Sequence, residues 1–354
     1  MRRTLIALVV LGLIGAACGN EDVVETTTSS STTTTKATTT TTRATSTTTE
    51  DTRPRSPING LPVDDAESLD RRVVALKVDN HPDARPQSGI QLADGIFEIR
   101  VEGSITRFMA LFHNSDAEYL GPTRSGRPTD AKLIRPLEAT LFISGAQGWV
   151  QRGIRNVGIE FFVEPPGMFR IPERRAPHNL YSNTVELRAF ADEREVPDTP
   201  PPTALWEFGE LSASSAPAAE IDVSFARGFV VTWSWNGSQW ERSLNGDESN
   251  FQVDFETEPE RITADTLVMI EGRFFTDGPG AGQSGSPVPS TDTVGTGRAF
   301  VAAEGKIVEG TWARENAEDP FVLTDLAGSP MLVPPGHPWI SIVPDASGGD
   351  VTWR

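Results

Sequence analysis

Three short stretches gather most of the side chains able to do chemistry. "VDNHPDARPQ" carries Asp79, Asn80, His81, Arg85 and Gln87; "GPTRSGRP" sets Arg124, Ser125 and Arg127 between two prolines; "ERRAPHNL" ends in His178 and Asn179. An arginine presents a planar fork of donors that keeps its charge and matches two oxygens of a phosphate or carboxylate. Prolines on either side fix the backbone and so lower the entropy lost when an anion is gripped. His81 and His178 stand beside prolines in turns, where an imidazole is well placed to carry a proton.

Two chemistries fit these residues. In the first, Arg85, Arg107, Arg124 and Arg127 grip an anion while Asn80, Gln87, Ser125 and Asn179 add polar contacts. In the second, Asp79, Glu98 or Glu102 serves as general base and His81 or His178 as proton carrier, with the arginines stabilising developing charge. Arginines paired to Asp79, Asp94, Glu98, Glu102 and Glu173 as scaffold bridges give the same composition. The sharp question is therefore whether Arg124 and Arg127 hold a ligand or hold Glu98 and Glu102.

Other chemistries find no support. Cys18 is the single cysteine of the 354 residues, so the folded part has no disulfide, no thiolate nucleophile and no cysteine-ligated metal. There is no HExxH or HxH spacing, no G-x-S-x-G, no P-loop and no dinucleotide fingerprint, and the expectation is neither metal nor cofactor. The net charge of -18 lies in the C-terminal half: residues 80–180 hold twelve Lys/Arg against eleven Asp/Glu, and residues 181–354 hold ten against twenty-eight. An acidic surface of that kind repels nucleic acid, which is excluded as a partner.

The elements that must position these residues follow from hydrophobic periodicity. "RRVVALKVDN" predicts a buried strand over Val73–Val78, ended by Asp79, Asn80 and Pro82. "GIFEIRVEGSITRFMALFHN" predicts two strands joined at Glu102–Ser104. In the second, Arg107 shares an otherwise apolar face with Ile105, Met109 and Leu111 and so demands a partner. Helices are expected at "TDAKLIR" with Thr129 as cap, at "WVQRGIRNVG", and at "NTVELRAFADER" capped by Asn183 or Ser182. The pattern predicts an α/β or α+β N-terminal domain over 57–195, a proline-rich linker over 196–218, and a mostly antiparallel β C-terminal domain, acidic and β-rich, over 219–354. Asn236-Gly237 and Asn245-Gly246 supply residues suited to type I′ hairpins.

The N-terminus reads as a signal peptide over 1–17, with Arg2 and Arg3 before the apolar "LIALVVLGLIG". Cys18 after "GAA" is similar to a lipobox cysteine, whose acylation would anchor the chain to the outer face of a cytoplasmic membrane. The Thr/Ser-rich stretch to residue 56 has too few apolar groups to fold and predicts a disordered tether.

"VDNHPDARPQSGIQLADGIFEIRVEGSITRFMALF", "GPTRSGRP", "RAPHNLY", "GKIVEGTW" and "PGHPWISIVP" occur in the order found in the YerB-like bacterial lipoproteins, a family with N- and C-terminal parts of unknown function, which this chain resembles from about 58 to 343. The resemblance implies a membrane-attached extracytoplasmic lipoprotein in two parts. Its recurring polar positions fall here on Asp79, Asn80, His81, Arg85, Gln87, Glu98, Glu102, Thr106, Arg107, Arg124, Ser125, Arg127, His178 and Asn179, to which it assigns no roles. A strand, a small-x-Thr-Arg-hydrophobic run and a following P-x-R also look like the core of LytR-CpsA-Psr phosphotransferases, whose acidic residues beside the arginines are not reproduced at the same places. The implied partners are the membrane, an anionic envelope ligand such as a polyprenyl phosphate, a glycan carboxylate or a peptide terminus, and, for a chain that is scaffold alone, an envelope protein.

Overall fold

The apolar run after Arg72 becomes strand β1 (Val74–Asp79), buried along its whole length. This computed structural model describes residues 51–354, so the expected signal peptide, Cys18 and the tether as far as residue 50 lie outside the described residues. β2 (Gly95–Arg100) and β3 (Thr106–Phe112) are joined by a turn over Glu102–Ser104 in which Gly103 takes φ 72°, a left-handed conformation that glycine adopts without a Cβ clash. β3 pairs antiparallel with both β1 and β2. β4 (Thr140–Ile143) adds to β1 in parallel, and β5 (Phe161–Val163) adds to β4 in parallel.

Helix α1 (Pro128–Ile134) starts two residues earlier than Thr129 as cap would allow. Pro128 fixes the first turn, Arg127 takes the cap position, and the Asp130 carboxylate accepts the Arg127 backbone N–H at 2.7 Å. Helix α2 spans Gly148–Asn156. Helix α3 (Thr184–Glu193) is capped by Asn183, whose side chain accepts from the Val185 and Glu186 N–H groups, a cap that contributes about 1 kcal/mol.

The C-terminal half is antiparallel-rich. β6 (Glu220–Ala226), β7 (Phe229–Trp235) and β8 (Trp240–Leu244) form a meander closed by a late strand, Asp350–Trp353, on β6. Asn245 and Gly246 both have positive φ, as a type I′ turn requires. At Asn236-Gly237 only the glycine does, and the Asn236 side chain instead accepts from the backbone N–H groups of Ser238 and Gln239 in a longer loop.

The large sheet runs through both halves. β9 (Thr266–Gly272), β10 (Gly295–Ala303), β11 (Lys306–Arg314) and β12 (Val322–Asp325) are antiparallel neighbours in sequence order. β13 (Pro338–Pro344) lies parallel between β9 and β2, giving the order β12-β11-β10-β9-β13-β2-β3-β1-β4-β5. Residues 196–218, expected as a linker, separate the halves in sequence and not in space, because Leu205 and Trp206 are buried. One face of the sheet packs Leu76, Phe108 and Phe142 on α3 and the six-stranded sheet of β6–β8. The other packs Ala75, Met109 and Leu141 on α1 and α2.

Glu98 ties the halves together. It is 0% exposed, and its Oε1 accepts from Thr106 Oγ1 and Arg242 Nη2, each at 2.7 Å, while Oε2 accepts from Trp339 Nε1 at 2.8 Å. Removing one partner of such a pair leaves a buried charge uncompensated. Glu98→Ala, which strips Arg242, should therefore lower unfolding free energy by about 3–5 kcal/mol in urea titration. A fragment ending at residue 197 should show no cooperative transition in the same titration; a native-like one would mean the N-terminal half folds without β13 and Arg242.

Candidate functional site

Successive side chains of a strand point to opposite faces, so Asp79 and Asn80 at the end of β1 serve two neighbourhoods. On the α1 face lie Lys77, Asp79 and, from the paired position on β3, Arg107. Lys77 Nζ donates to Asp130 Oδ1 at 2.6 Å, and neither side chain is exposed. Burial pulls Lys77 down to about 8, against the attraction of Asp130.

"GPTRSGRP" extends the sheet beyond β1. Asp79 N–H donates to the Pro122 carbonyl and Arg124 N–H to the Lys77 carbonyl, each at 2.8 Å. Gly121 is required by close approach, since a Cβ there would sit 3.0 Å from the Tyr181 ring and 3.1 Å from the Leu180 carbonyl. This path delivers Arg124 to Asp79: the Arg124 Nε is 3.1 Å from Asp79 Oδ2, and His178 Nδ1 is 2.7 Å from the same oxygen. Asp79 is 1% exposed, whereas the Arg124 and His178 side chains are 23% and 12% exposed above it. The His81 ring stacks on His178 with centroids 4.6 Å apart, and His81 N–H donates to Asp79 Oδ1 at 3.1 Å.

Beside this group, Arg127 donates through Nε to Glu102 at 2.9 Å, and its Nη2 lies 2.8 Å from the same oxygen. Burial acts to raise Glu102, but the hydrogen bond and charge of Arg127 outweigh it and hold Glu102 below its usual range. Arg107 has no carboxylate partner among the described residues; its Nη1 donates to the Ser125 carbonyl at 2.7 Å. Burial, reinforced by Arg127, draws Arg107 down to about 10. Ser125 thus acts through its backbone, and its hydroxyl faces Ser144 at 3.4 Å.

Asn80 points to the other face. Its Nδ2 donates to Thr106 Oγ1 at 2.8 Å, and its Oδ1 accepts from Arg85 Nε at 2.9 Å and Gln87 Nε2 at 3.0 Å. Asn80 and Gln87 are buried, and their amides are engaged by protein groups that brace Arg85. Arg85 lines a groove of ≈ 760 Å³ with Asp83, Arg174, Arg175, His178 and Phe255.

The scaffold question divides. Arg127 holds Glu102, Arg124 holds Asp79, and Glu98 is held by Arg242 from the other half. Glu98, named among the candidate bases, is fully enclosed and out of a substrate's reach. Asn179 is turned away, accepting from Arg170 at 3.0 Å and donating to the Ile171 carbonyl. Sequence reasoning missed Lys77, Asp130, Arg242 and Trp339; a lysine within the apolar run "VVALKV" was the available signal.

Comparison with known proteins places this geometry. Residues 58–197 match the family described as protein of unknown function (DUF3048), N-terminal domain, and residues 221–340 match its C-terminal domain. A Bacillus subtilis (strain 168) protein described as "Putative lipoprotein YerB" is 24% identical over 311 residues, 84% of this chain and 88% of that protein. The crystal structure of YerB protein from Bacillus subtilis aligns with a TM-score of 0.70 at 22% identity, covering 85% of this chain and 100% of that one, and shows the same fold.

The buried lysine gives this region a pH signature. An unfolded lysine titrates near 10.4, so between about pH 8 and about pH 10 the unfolded chain binds more protons and the contribution of Lys77 to stability rises with pH. Urea unfolding across that window should show the wild type gaining on the Lys77→Met/Asp130→Leu double variant, and parallel profiles would contradict it.

Proposed function

The chain belongs to the DUF3048 family, and from that premise we propose that it is a lipid-anchored protein of the extracytoplasmic membrane face that binds an oxyanion of the cell envelope. The anchor reading rests on Cys18 behind a signal-like segment and on the lipoprotein description of the Bacillus subtilis relative. The Thr/Ser composition that follows suits a spacer between membrane and folded part.

The anion reading is carried by the shared oxygen of Asp79. It bonds His178 through Nδ1 and lies 3.1 Å from Arg124 Nε as an ion pair without a hydrogen bond, and the two Nη groups of Arg124 and the Nε2 of His178 are left without protein hydrogen-bond partners among the described residues. Arg107 behind them adds charge, with no carboxylate partner of its own among the described residues. The free Nη groups of Arg124 are preorganised donors that fit the oxygens of a phosphate or carboxylate, with the Nε2 lone pair of His178 beside them placed to accept from a hydroxyl of the ligand. A polyprenyl phosphate, a glycan carboxylate and a peptide terminus all present such oxygens.

A second reading, envelope phosphoryl or glycosyl transfer, is favoured by one observation. A buried aspartate bonded to Nδ1 fixes the tautomer in which Nε2 accepts a proton. Binding stands ahead of it because no hydroxyl or second carboxylate is bonded to that Nε2 among the described residues.

Calorimetric titration of the full-length protein in detergent with pyrophosphate and with a short-chain polyprenyl phosphate tests the proposal. Arg124→Ala should weaken binding about ten- to a hundredfold, the loss expected for charge-assisted hydrogen bonds, and added salt should weaken it further. Undiminished affinity in both Arg124→Ala and His178→Ala, with unchanged circular dichroism, would sink it.

A further inference from the structure

The segment that leaves β1 brings two more groups to the rim of this site. His81 and Asp83 flank Pro82 at the start of a single 3-10 turn, Pro82–Ala84. The His81 ring lies over His178 with an angle of 20° between their planes. One ligand atom from each of His81, Asp83 and His178 lies within 4.8 Å of the other two. We propose that these three side chains hold a divalent transition-metal ion of the zinc class, with a coordination position left open to water or to an oxyanion.

Ligand type and distance support this. Two imidazoles and a carboxylate suit a borderline ion such as zinc. His81 Nδ1 is 3.6 Å from Asp83 Oδ2, while two ligand atoms on a tetrahedral zinc at about 2.0–2.1 Å stand about 3.3 Å apart. The three ligand atoms lie within 4.8 Å of one another and the two rings are stacked, so rotation of the exposed His81 ring out of the stack would bring its lone pair and those of the other two onto one ion. His81 Nδ1 accepts the Asp83 N–H at 3.2 Å, so this nitrogen already carries a lone pair on the side of Asp83, and an ion would take the place of that long bond.

The outer shell is also built. A metal-ligating histidine typically gives its other ring N–H to a carboxylate, which fixes the tautomer and makes the ligand more basic. His178 does so through Nδ1 to the buried Asp79, and Nε2 is the ring nitrogen left to ligate. The loop carrying His81 and Asp83 is braced from outside by Arg174, whose Nη1 donates to the Asp83 carbonyl at 2.7 Å and Nη2 to the Pro86 carbonyl at 2.6 Å. The ligands therefore lose little freedom on binding.

Electrostatics point the same way. The Asp83 carboxylate is 74% exposed and accepts no hydrogen bond from the described residues, and it shares a groove with Arg85, Arg174 and Arg175. A divalent ion would neutralise it, take the lone pairs of the two imidazoles once their rings tilt apart, and add positive charge next to Arg124. The ligand geometry stands without the oxyanion reading of Arg124, although one oxyanion could reach both. The pattern is hidden in the sequence because the third ligand comes from the distant turn at His178.

The test is titration of full-length, chelator-stripped protein with Co2+, read by its visible absorption, and with Zn2+ in competition with a chromophoric chelator. One equivalent should bind, Zn2+ should displace Co2+, and His81→Ala and His178→Ala should each weaken binding at least tenfold. Asp83→Ala should do the same, and its exposed side chain makes misfolding a poor explanation of the loss. Asp79→Asn, a positioning change, should cost about 10–100-fold. Arg124→Ala, which leaves the Asp79 oxygen to His178 alone and removes a neighbouring cation, should not weaken Zn2+ binding while pyrophosphate binding falls, which separates the two proposals. Failure of both ions to bind stoichiometrically, or unchanged affinity in Asp83→Ala and His81→Ala, overturns the metal site whatever pyrophosphate does.

Discussion

A carboxylate removed wholly from water costs several kcal/mol unless its oxygens are bonded, and Glu98 meets that demand with donors from three strands. Thr106 comes from β3, Arg242 from β8 and Trp339 from β13, so satisfying one side chain of β2 recruits both halves of the chain. The requirement propagates. Because the Thr106 hydroxyl donates to Glu98, it accepts from Asn80, and the Asn80 carbonyl oxygen is left to receive Arg85 and Gln87. Such chains polarise each member and fix its orientation. With Asn80 held on one face of β1, Asp79 is committed to the other, where Arg124 and His178 meet it. The candidate site is thus set by a buried charge on the opposite side of the sheet.

Charge on this protein acts at two ranges. The C-terminal half is strongly acidic, with ten Lys/Arg against twenty-eight Asp/Glu over residues 181–354, but fields from exposed charges fade over about 8–10 Å at physiological salt. Within that distance of Asp79 the balance is different, because Arg107 and Arg124 stand where Glu102 is already engaged by Arg127. An acidic exterior discourages loose association with polyanions, while a local excess of fixed donors rewards one oxyanion in one place. That division favours a small anionic group presented singly over a long charged polymer.

The sequence made the elements around the site legible and left their partners obscure. Alternation in "SITRFMALF" assigned Phe108 and Phe112 to one face and Met109 and Leu111 to the other, as the two cores have them. It also marked Arg107 as needing a partner, but the partner is the Ser125 carbonyl, and no periodicity identifies a backbone oxygen. Glu98 and Glu102 look alike in sequence; burial against β8 and β13 makes the first a structural anchor, and the turn at Gly103 leaves the second half-exposed beside Arg127. The parallel insertion of β13 between β2 and β9 was out of reach because a β-branched run announces a strand and not its neighbour. Asn80 and Gln87 show the same limit, since amides suited to a ligand are equally suited to bracing the arginine beside them.

Because Arg124 and His178 share one oxygen of Asp79, whatever occupies either is coupled to the other. On the two proposals, an ion on His178 Nε2 would withdraw electron density from the ring and strengthen the Nδ1–H donation to Asp79. The carboxylate oxygen would then have less to offer Arg124, whose guanidinium would become the better donor toward an oxyanion. Reciprocity requires the oxyanion to favour the ion by the same factor, since a coupling free energy belongs to the pair of sites and not to either alone. Asp79, buried at the end of β1, would be the element through which such coupling passes, beside an Asn80 held in place by the Glu98 network.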